Sequence, residues 1–483
     1  MYPLIHLNKI IMRKIIYTAL VTFCIVQITG CKKFIDVNSN PNSPLSVQES
    51  LILSPVELNL SSVLSGGAST GTLTSGFSTV LVNHYMQNVA LNQPVPNEGT
   101  YLLYNTDIND SWKNIYVACL NNLKVMNEKA TVNGNYNYSG IAKILTAFCL
   151  GIATDYWGNI PYTEAFGGVS KLQPAYDSQE SIYKTIQQLY DDGIADINKN
   201  AIITPGGDDY FYGGDMDQWK RLAYTLKARY YMHLTKAPGY TALAQANLAL
   251  TALQNGMVSN SDDVKMSYAG GAGEQNPWNV NFLPVSTLVL SSACVDTLVS
   301  RNDPRLPKMI AKAKQTGLYN GRPIGSVNIS GSLDIYSLPG TAYGADNSPV
   351  YVFNYSESLF LKAEATLIKS GFAAAQPIYQ DAIKSHMTKL GIADADVNTY
   401  VASRGTLTAA NALQRIMEEK KIANFLSIEN FNDWRRTGYP VLTKVPNASA
   451  DIPRRLLYPQ VEILSNPQAV QSAKITDRLW WDQ

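Results

Sequence analysis

From about Leu51 onward, apolar residues return at three- and four-residue intervals in stretch after stretch, and this constrains the fold more than any other feature of the chain. Such spacing places one stripe of an α-helix against a core. Residues 107–129 carry Ile108, Trp112, Ile115, Tyr116, Cys119 and Leu123 on one face, and residues 139–155 carry Ile141, Ile144, Leu145, Phe148 and Ile152. Residues 217–235 present Trp219, Leu222, Leu226, Tyr230 and His233, with Asp215 or Asp217 placed to cap the helix. The pattern predicts an all-α fold.

Two helices are expected at 356–370 and 373–390, meeting at Gly371. The first carries Leu359, Leu361, Ala363, Ala365 and Leu367; the second carries Ala374, Tyr379, Ala382, Ile383 and Met387. Small residues at facing positions let two helices approach closely, and a hairpin of this size resembles a tetratricopeptide unit. No repeat of fixed period recurs elsewhere. Long loops at about 200–216, 259–283 and 316–353 are rich in Gly, Asn, Asp and Tyr, and loops of that length are uncommon unless functional. Alternation within 324–338 predicts short strands. The expected fold is therefore tetratricopeptide-like hairpins plus a loop-rich irregular part with a few short strands.

The N-terminus resembles a bacterial lipoprotein signal. Arg13 and Lys14 form a basic start, Ile15 to Ile28 is mostly apolar and too short to span a bilayer, and Ile28-Thr29-Gly30-Cys31 ends it like a lipobox. Met12 directly precedes the basic pair and is the alternative start to Met1, with the first eleven residues then an over-extension. The expected organisation is a signal peptide at 1–30, a lipidated tether at 31–50, whose 32–48 stretch is rich in Asn, Ser and Pro, and one helical domain at 51–483. Acyl chains on Cys31, palmitate among them, anchor without spanning, because each buried methylene contributes about 0.8 kcal/mol and several chains hold where one is marginal.

Removing residues 1–30 takes away Lys9, Arg13 and Lys14 and no acids, leaving 36 basic against 38 acidic side chains from the 39 and 38 of the whole sequence. So balanced a surface argues against nucleic acid as a partner, and no polybasic patch offers a second membrane contact. Cys119, Cys149 and Cys294 remain after Cys24 leaves and Cys31 is acylated, so one internal disulfide at most is possible. Cys119 and Cys149 sit in apolar helical patterns and read as small buried hydrophobes.

Chemical motifs are sparse. Gly67-Ala68-Ser69-Thr70-Gly71 matches G-x-S-x-G, but its flanks are Ser-, Gly- and Thr-rich where a nucleophile elbow needs a strand and a helix. The bases available are His84, His233 and His386, two of them inside amphipathic helix patterns where a structural role is expected. Asp36-Val37-Asn38-Ser39-Asn40 starts like a calcium loop but continues with Pro41 and reaches Val47 at the twelfth position. Asp208, Asp209, Asp215 and Asp217 surround Tyr210 to Gly214 and suit turn and cap duty. No metal, cofactor or catalytic residue is implied.

Several stretches, in order, resemble the SusD/RagB family of Bacteroidetes outer-membrane lipoproteins. They are CKKFIDVNSNPNSP (31–44), DYWGNIPYTEAF (155–166), YGGDMDQWKRLAYTLKARYYMHL (212–234), RNDPRL (301–306), YSESLFLKAEA (355–365), EEKKIANFLSIENFNDWRRTGYP (418–440), IPRRLLYPQVEILSN (452–466) and DRLWWD (477–482). The resemblance implies an all-α receptor, not an enzyme, displayed at the cell surface on its lipid. It implies that the receptor captures oligosaccharides or peptides for a SusC-type TonB-dependent transporter, over which it acts as a lid. The alternative from the residues alone is a lipid-tethered surface hydrolase built on Ser69. Asp433, Trp434, Arg435 and Arg436 are expected to build scaffold.

The resemblance transfers no ligand contact to a particular residue, so contacts follow from chemistry. The chain has 29 Tyr against 12 Phe and 7 Trp, and Tyr joins a flat apolar face to a hydrogen-bonding tip, as sugar binding requires. Trp278 is the first candidate, followed by Tyr268, Tyr101 and Tyr104, with Tyr85, Asn276 and Tyr343 completing the set. Trp278, Tyr268, Asn276 and Tyr343 lie in the long loops, and Tyr85, Tyr101 and Tyr104 beside a Pro-interrupted loop at 85–104; for any one tyrosine the competing role is packing between helices.

If Cys31 carries the lipid, mass spectrometry of the processed N-terminus will find an acylated cysteine there. A Cys31→Ala protein is expected to appear in the soluble fraction, and its retention in the membrane would refute the assignment.

Overall fold

A computed structural model describes Met12, Lys14, residues 47–67 and residues 76–483. Two units partition the chain, Met1–Gln48 and Glu49–Gln483, and every element below belongs to the second. The helices that matter for the site are α1 (Ser50–Leu64), α2 (Phe77–Tyr85), α3 (Asn122–Asn133), α4 (Tyr136–Trp157), α5 (Gln179–Ile197), α6 (Met216–His233), α7 (Ala242–Leu253), α8 (Ser292–Ser300), α9 (Tyr355–Ser370), α10 (Phe372–Lys389), α11 (Asp394–Ser403), α12 (Ala412–Ala423) and α13 (Glu429–Thr437). The strands among the described residues, β1 (Val89–Leu91), β2 (Val264–Met266), β3 (Leu288–Leu290) and β4 (Val350–Phe353), form two small sheets. The fold is all-α, as the spacing predicts.

Consecutive helices pack in pairs: α4 on α5, α6 on α7 and α9 on α10. Asp215 caps α6 by accepting hydrogen bonds from the Asp217 and Gln218 amides. Gly371, with φ of 83°, ends α9 and starts α10; this left-handed backbone is one that Gly adopts freely. The hairpin core is Phe360, Ala363, Ala375, Tyr379, Ala382, Ile383 and Met387, extended by residues of α11 and α12. The expected helix over 107–129 begins at Asn109 and continues to Asn133, with a π-helical stretch at Asn114–Asn121 that places Cys119 in the core.

A second core lies under the loop-rich part. It joins Val80, Val89, Trp278, Phe282, Leu288, Leu290 and Val295 to Tyr343, Val350 and Phe425. The two sheets, both antiparallel, tie its loops together: Ala90 pairs with Val289, and Lys265 with Tyr351. Residues 324–338 hold no named strand. They carry a single 3₁₀ turn at Leu333–Ile335, and their alternation is that of a loop pinned residue by residue through side-chain hydrogen bonds.

The α4–α5 pair shows how closely the helices approach. A Cβ on Gly193 would lie 2.9 Å from the Gly140 carbonyl oxygen and 2.9 Å from Ile144 Cγ1. Overpacking of this kind costs about 1–3 kcal/mol. Gly193→Ala is therefore expected to lower the urea midpoint, whereas Gly207→Ala, with nothing within 4 Å of the new Cβ, is not; equal midpoints would show that the contact relaxes freely.

Candidate functional site

Burial sorts the aromatic candidates sharply. Trp278 is 4% exposed and packs against Phe282 with ring centroids 6.0 Å apart. Its loop is a capped helix: Asn276 Oδ1 accepts from the Trp278 amide at 2.7 Å, Pro277 takes the first helical position, and residues Pro277–Asn281 form the turn. Asn followed by Pro is a helix-start signal, and it turns the indole inward. Asn276, wholly buried, spends its amide on Ser348 O at 2.8 Å and Tyr343 O at 3.3 Å. Both of these candidates are thus core residues in this structure.

Three more candidates are also core. Tyr85 and Tyr101 stack edge to face at 5.9 Å and are both buried. Tyr343 sits 5.0 Å from Phe425, and its hydroxyl meets His386 Nε2 at 3.0 Å. Tyr268 is half-buried, hydrogen-bonded to Ser61 Oγ at 2.8 Å. Tyr104 alone of the set stands out to solvent, at 59% exposure. Loop position alone does not expose these rings, because a loop that closes over a core hides its aromatic residues just as a helix does.

The loops nevertheless converge. Asn92 and Ser330 exchange two hydrogen bonds, the Asn92 amide donates to Thr287 O, and Gln93 Nε2 donates to Thr287 Oγ1. Arg322 donates to Leu91 O at 2.7 Å, to Tyr336 Oη at 3.0 Å and to Ser326 O at 3.2 Å. Beside this junction lies a hollow of about 220 Å³, with Phe77, Leu91, Val285 and Leu288 as apolar wall and Gln93, Glu98 and Asn281 among them as polar groups. His84 lines it too, its Nδ1 buried without a partner. Burial drives the His84 pKa down to about 4, against a backbone hydrogen bond with Val89, so the ring is neutral. The hollow thus offers an apolar face with hydrogen-bonding groups around it.

The other histidines are structural, as expected. His386 is neutral, its pKa pushed well down by burial and by Lys389 and Arg305; its Nδ1 accepts from Arg305 Nη1 at 3.3 Å. His233 donates from Nε2 to Glu429 at 2.8 Å and from Nδ1 to the Tyr183 hydroxyl oxygen at 2.9 Å, with Asp155 beside it at 3.4 Å. Burial opposes its charge, but Glu429 and Asp155 outweigh it and raise the pKa to about 9. Asp209 accepts from the amides of Phe211, Tyr212 and Gly214 and from Trp219 Nε1, which is turn and cap duty. Cys119, Cys149 and Cys294 are free and buried. Among the described residues no His, Cys, Asp and Glu cluster is placed to hold a metal ion, and no helix is long and apolar enough to cross a membrane. Cys31 and Ser69 lie outside the described residues.

The predicted scaffold motif is confirmed in detail. Lys420 pairs with Asp433 at 2.8 Å, Arg436 reaches Glu364 and Asp433, and Arg229 holds Glu357 bidentately. Arg435 lies between the rings of Phe431 and Trp481, 4.1 and 4.7 Å from their centroids.

Residues 41–459 match the family model described as SusD-like, starch-binding and associating with the outer membrane. The chain belongs to this SusD-like family. Among solved structures it is similar to a chitin-binding SusD homolog from Flavobacterium johnsoniae, at 23% identity and a TM-score of 0.79 over 90% of this chain and 98% of the other. It is also similar to a SusD/RagB family protein from Bacteroides thetaiotaomicron, at 23% identity and a TM-score of 0.74 over 90% and 99%. Both likenesses establish the fold. Comparison with curated proteins gives no match.

A pH prediction follows from His233. Its folded pKa of about 9 lies above the ordinary 6.5, so the stability it contributes is complete below 6.5 and is lost as pH rises through 9. The melting temperature is expected to fall across that window by an amount equivalent to a few kcal/mol on the order-of-magnitude scale of such shifts. His233→Gln should be less stable and lack that slope. Equal slopes in the two proteins would mean that the native imidazole is uncharged.

Proposed function

We propose that this protein is a cell-surface nutrient receptor that binds oligosaccharides and passes them, unaltered, to a SusC-type TonB-dependent transporter. The observation that carries this reading is the family match across residues 41–459. Chitin is the ligand named for one structural relative, and starch for the family, so glucans and chitooligosaccharides are the ligand classes to try first. Anchorage through acylated Cys31 in the outer membrane completes the proposal.

The hollow beside the loop junction is the proposed ligand site. Leu91 and Val285 supply the apolar face against which a sugar ring lies, while Gln93, Glu98 and Asn281 receive its hydroxyls. Tyr104 is a further stacking surface. An open site of this kind loses much of its interaction energy to desolvation, so affinities of about micromolar to millimolar are expected.

Calorimetry with starch and chitin fragments is expected to find a ligand whose binding weakens on the order of tenfold in Gln93→Ala, from the loss of one or two hydrogen bonds, while the melting temperature holds. Prolonged incubation should release no product. Product that disappears in Ser69→Ala would transfer the case to a hydrolase, and undiminished affinity in both Gln93→Ala and Val285→Asp would move the site elsewhere.

A further inference from the structure

A larger hollow, of about 350 Å³, lies between α8 and α12. Leu298, Ile422, Phe425 and Val441 are among its apolar wall residues, and Asn88, Thr297 and Gln414 add neutral polar groups. One cation faces this space without an acid of its own. Lys421 Nζ donates to the Met86 carbonyl oxygen at 2.8 Å. Among the described residues no carboxylate lies within ion-pair distance of it. An ammonium group has three donors and no acceptor, so two N–H directions are left over.

The other charges around the hollow are already matched. Arg301 donates to Glu418 at 2.6 Å and to Glu419 at 3.1 Å, and Glu418 also accepts from Gln414 at 2.8 Å. The uncompensated charge is thus a single positive one, in a hollow whose wall is part apolar and part polar. Such a chamber is large enough for a small ligand. Phosphate would bring a second charge with nothing to meet it.

We infer that this hollow is a second ligand site, separate from the sugar-binding surface, for a monocarboxylate with an apolar or aryl body. The carboxylate takes the two free donors of Lys421, and the body lies against Leu298, Ile422 and Phe425. Burial, with Arg301 adding to it against a weaker opposing pull from Cys294, brings the free lysine down to about 8, so an incoming anion meets a group whose charge it stabilises. Cys294, Arg301 and Glu418 face the same space, and burial keeps the Cys294 thiol neutral, its pKa raised to about 11.

Phenylacetate is the probe, with phenylacetamide as its uncharged counterpart, titrated into the purified full chain by calorimetry. Phenylacetate is expected to bind, and phenylacetamide to bind about tenfold more weakly or worse, the usual scale for losing a charge-assisted hydrogen bond. Phenylacetate affinity should fall as pH rises through about 8, where Lys421 loses its proton. Lys421→Met is expected to abolish the preference for the anion. Should that variant fail to fold, Val441→Trp serves instead: Val441 is 74% exposed at the rim, and the larger ring is expected to close the hollow without disturbing a buried contact. Absence of phenylacetate binding, equal affinity for both probes, or unchanged binding in the variant that folds would overturn the inference. None of these outcomes bears on sugar binding at Gln93.

Discussion

Two neighbouring residues of opposite charge, Glu419 and Lys420, lie wholly buried on α12. Consecutive positions on a helix point in different directions, and these two anchor different networks. Glu419 receives Arg305 at 2.7 Å, Arg301 and Arg404 at 3.1 Å, and the Tyr400 hydroxyl at 2.9 Å. Lys420 faces Asp433, with Glu357 and Glu429 both 3.9 Å away. Around it Arg229 and His233 of α6, Glu357 and Glu364 of α9, Asp155 of α4 and the acids of α13 close one charge array. Buried ion pairs recover their desolvation cost only when geometry is good and every partner is present; removing one partner costs about 3–5 kcal/mol. Five helices are therefore held in a single register, since sliding any one of them would strand a charge in the core.

The same α12 governs the loops. Arg305 joins Asp303 and Glu419 to His386, and His386 in turn holds the Tyr343 hydroxyl. Tyr343 lies on Phe425, and its carbonyl accepts from Asn276 at 3.3 Å, the residue that caps the helix containing Trp278. A chain of contacts thus runs from the helical scaffold into the irregular half without passing through an extended sheet. Arg322 then clamps Leu91, Ser326 and Tyr336 from the loop side. Loops pinned this way lose little further entropy when a ligand arrives, which favours binding by a shallow surface.

These relations explain what was legible in the sequence. Helical spacing located α4, α6, α9 and α10 because each presents a continuous apolar stripe to a core, and Asp215 and Gly371 announced their ends through local chemistry. The motif at 433–436 was readable as scaffold because its three charged residues, set around Trp434 on one short helix, suit ion pairs and packing. The ligand surface was not legible. Tyrosine content predicts amphipathic packing as readily as sugar binding, and Tyr85, Tyr101 and Tyr343 went to the core. Trp278 is buried, and the local signal for that was the Asn276-Pro277 helix start. The hollow itself joins Phe77, Gln93 and Asn281, brought together by tertiary pairing of β1 with β3 that no local pattern reports.

The buried charge arrays and the proposed ligand hollow are built from different atoms. Gln93 bonds a loop hydroxyl and Asn281 the Ser65 carbonyl, while Leu91 and Val285 touch the hollow through apolar side chains. None of these side chains enters the charge arrays on α12. Substitutions at the hollow act locally, and well-separated sites contribute to stability independently. The buried arrays tolerate no such freedom: an Arg436 without Glu364, or a Lys420 without Asp433, leaves a charge with nowhere to go. A scaffold fixed by ion pairs and a hollow lined by loop side chains can therefore change at very different rates, the second free to vary while the first holds the helices where they are.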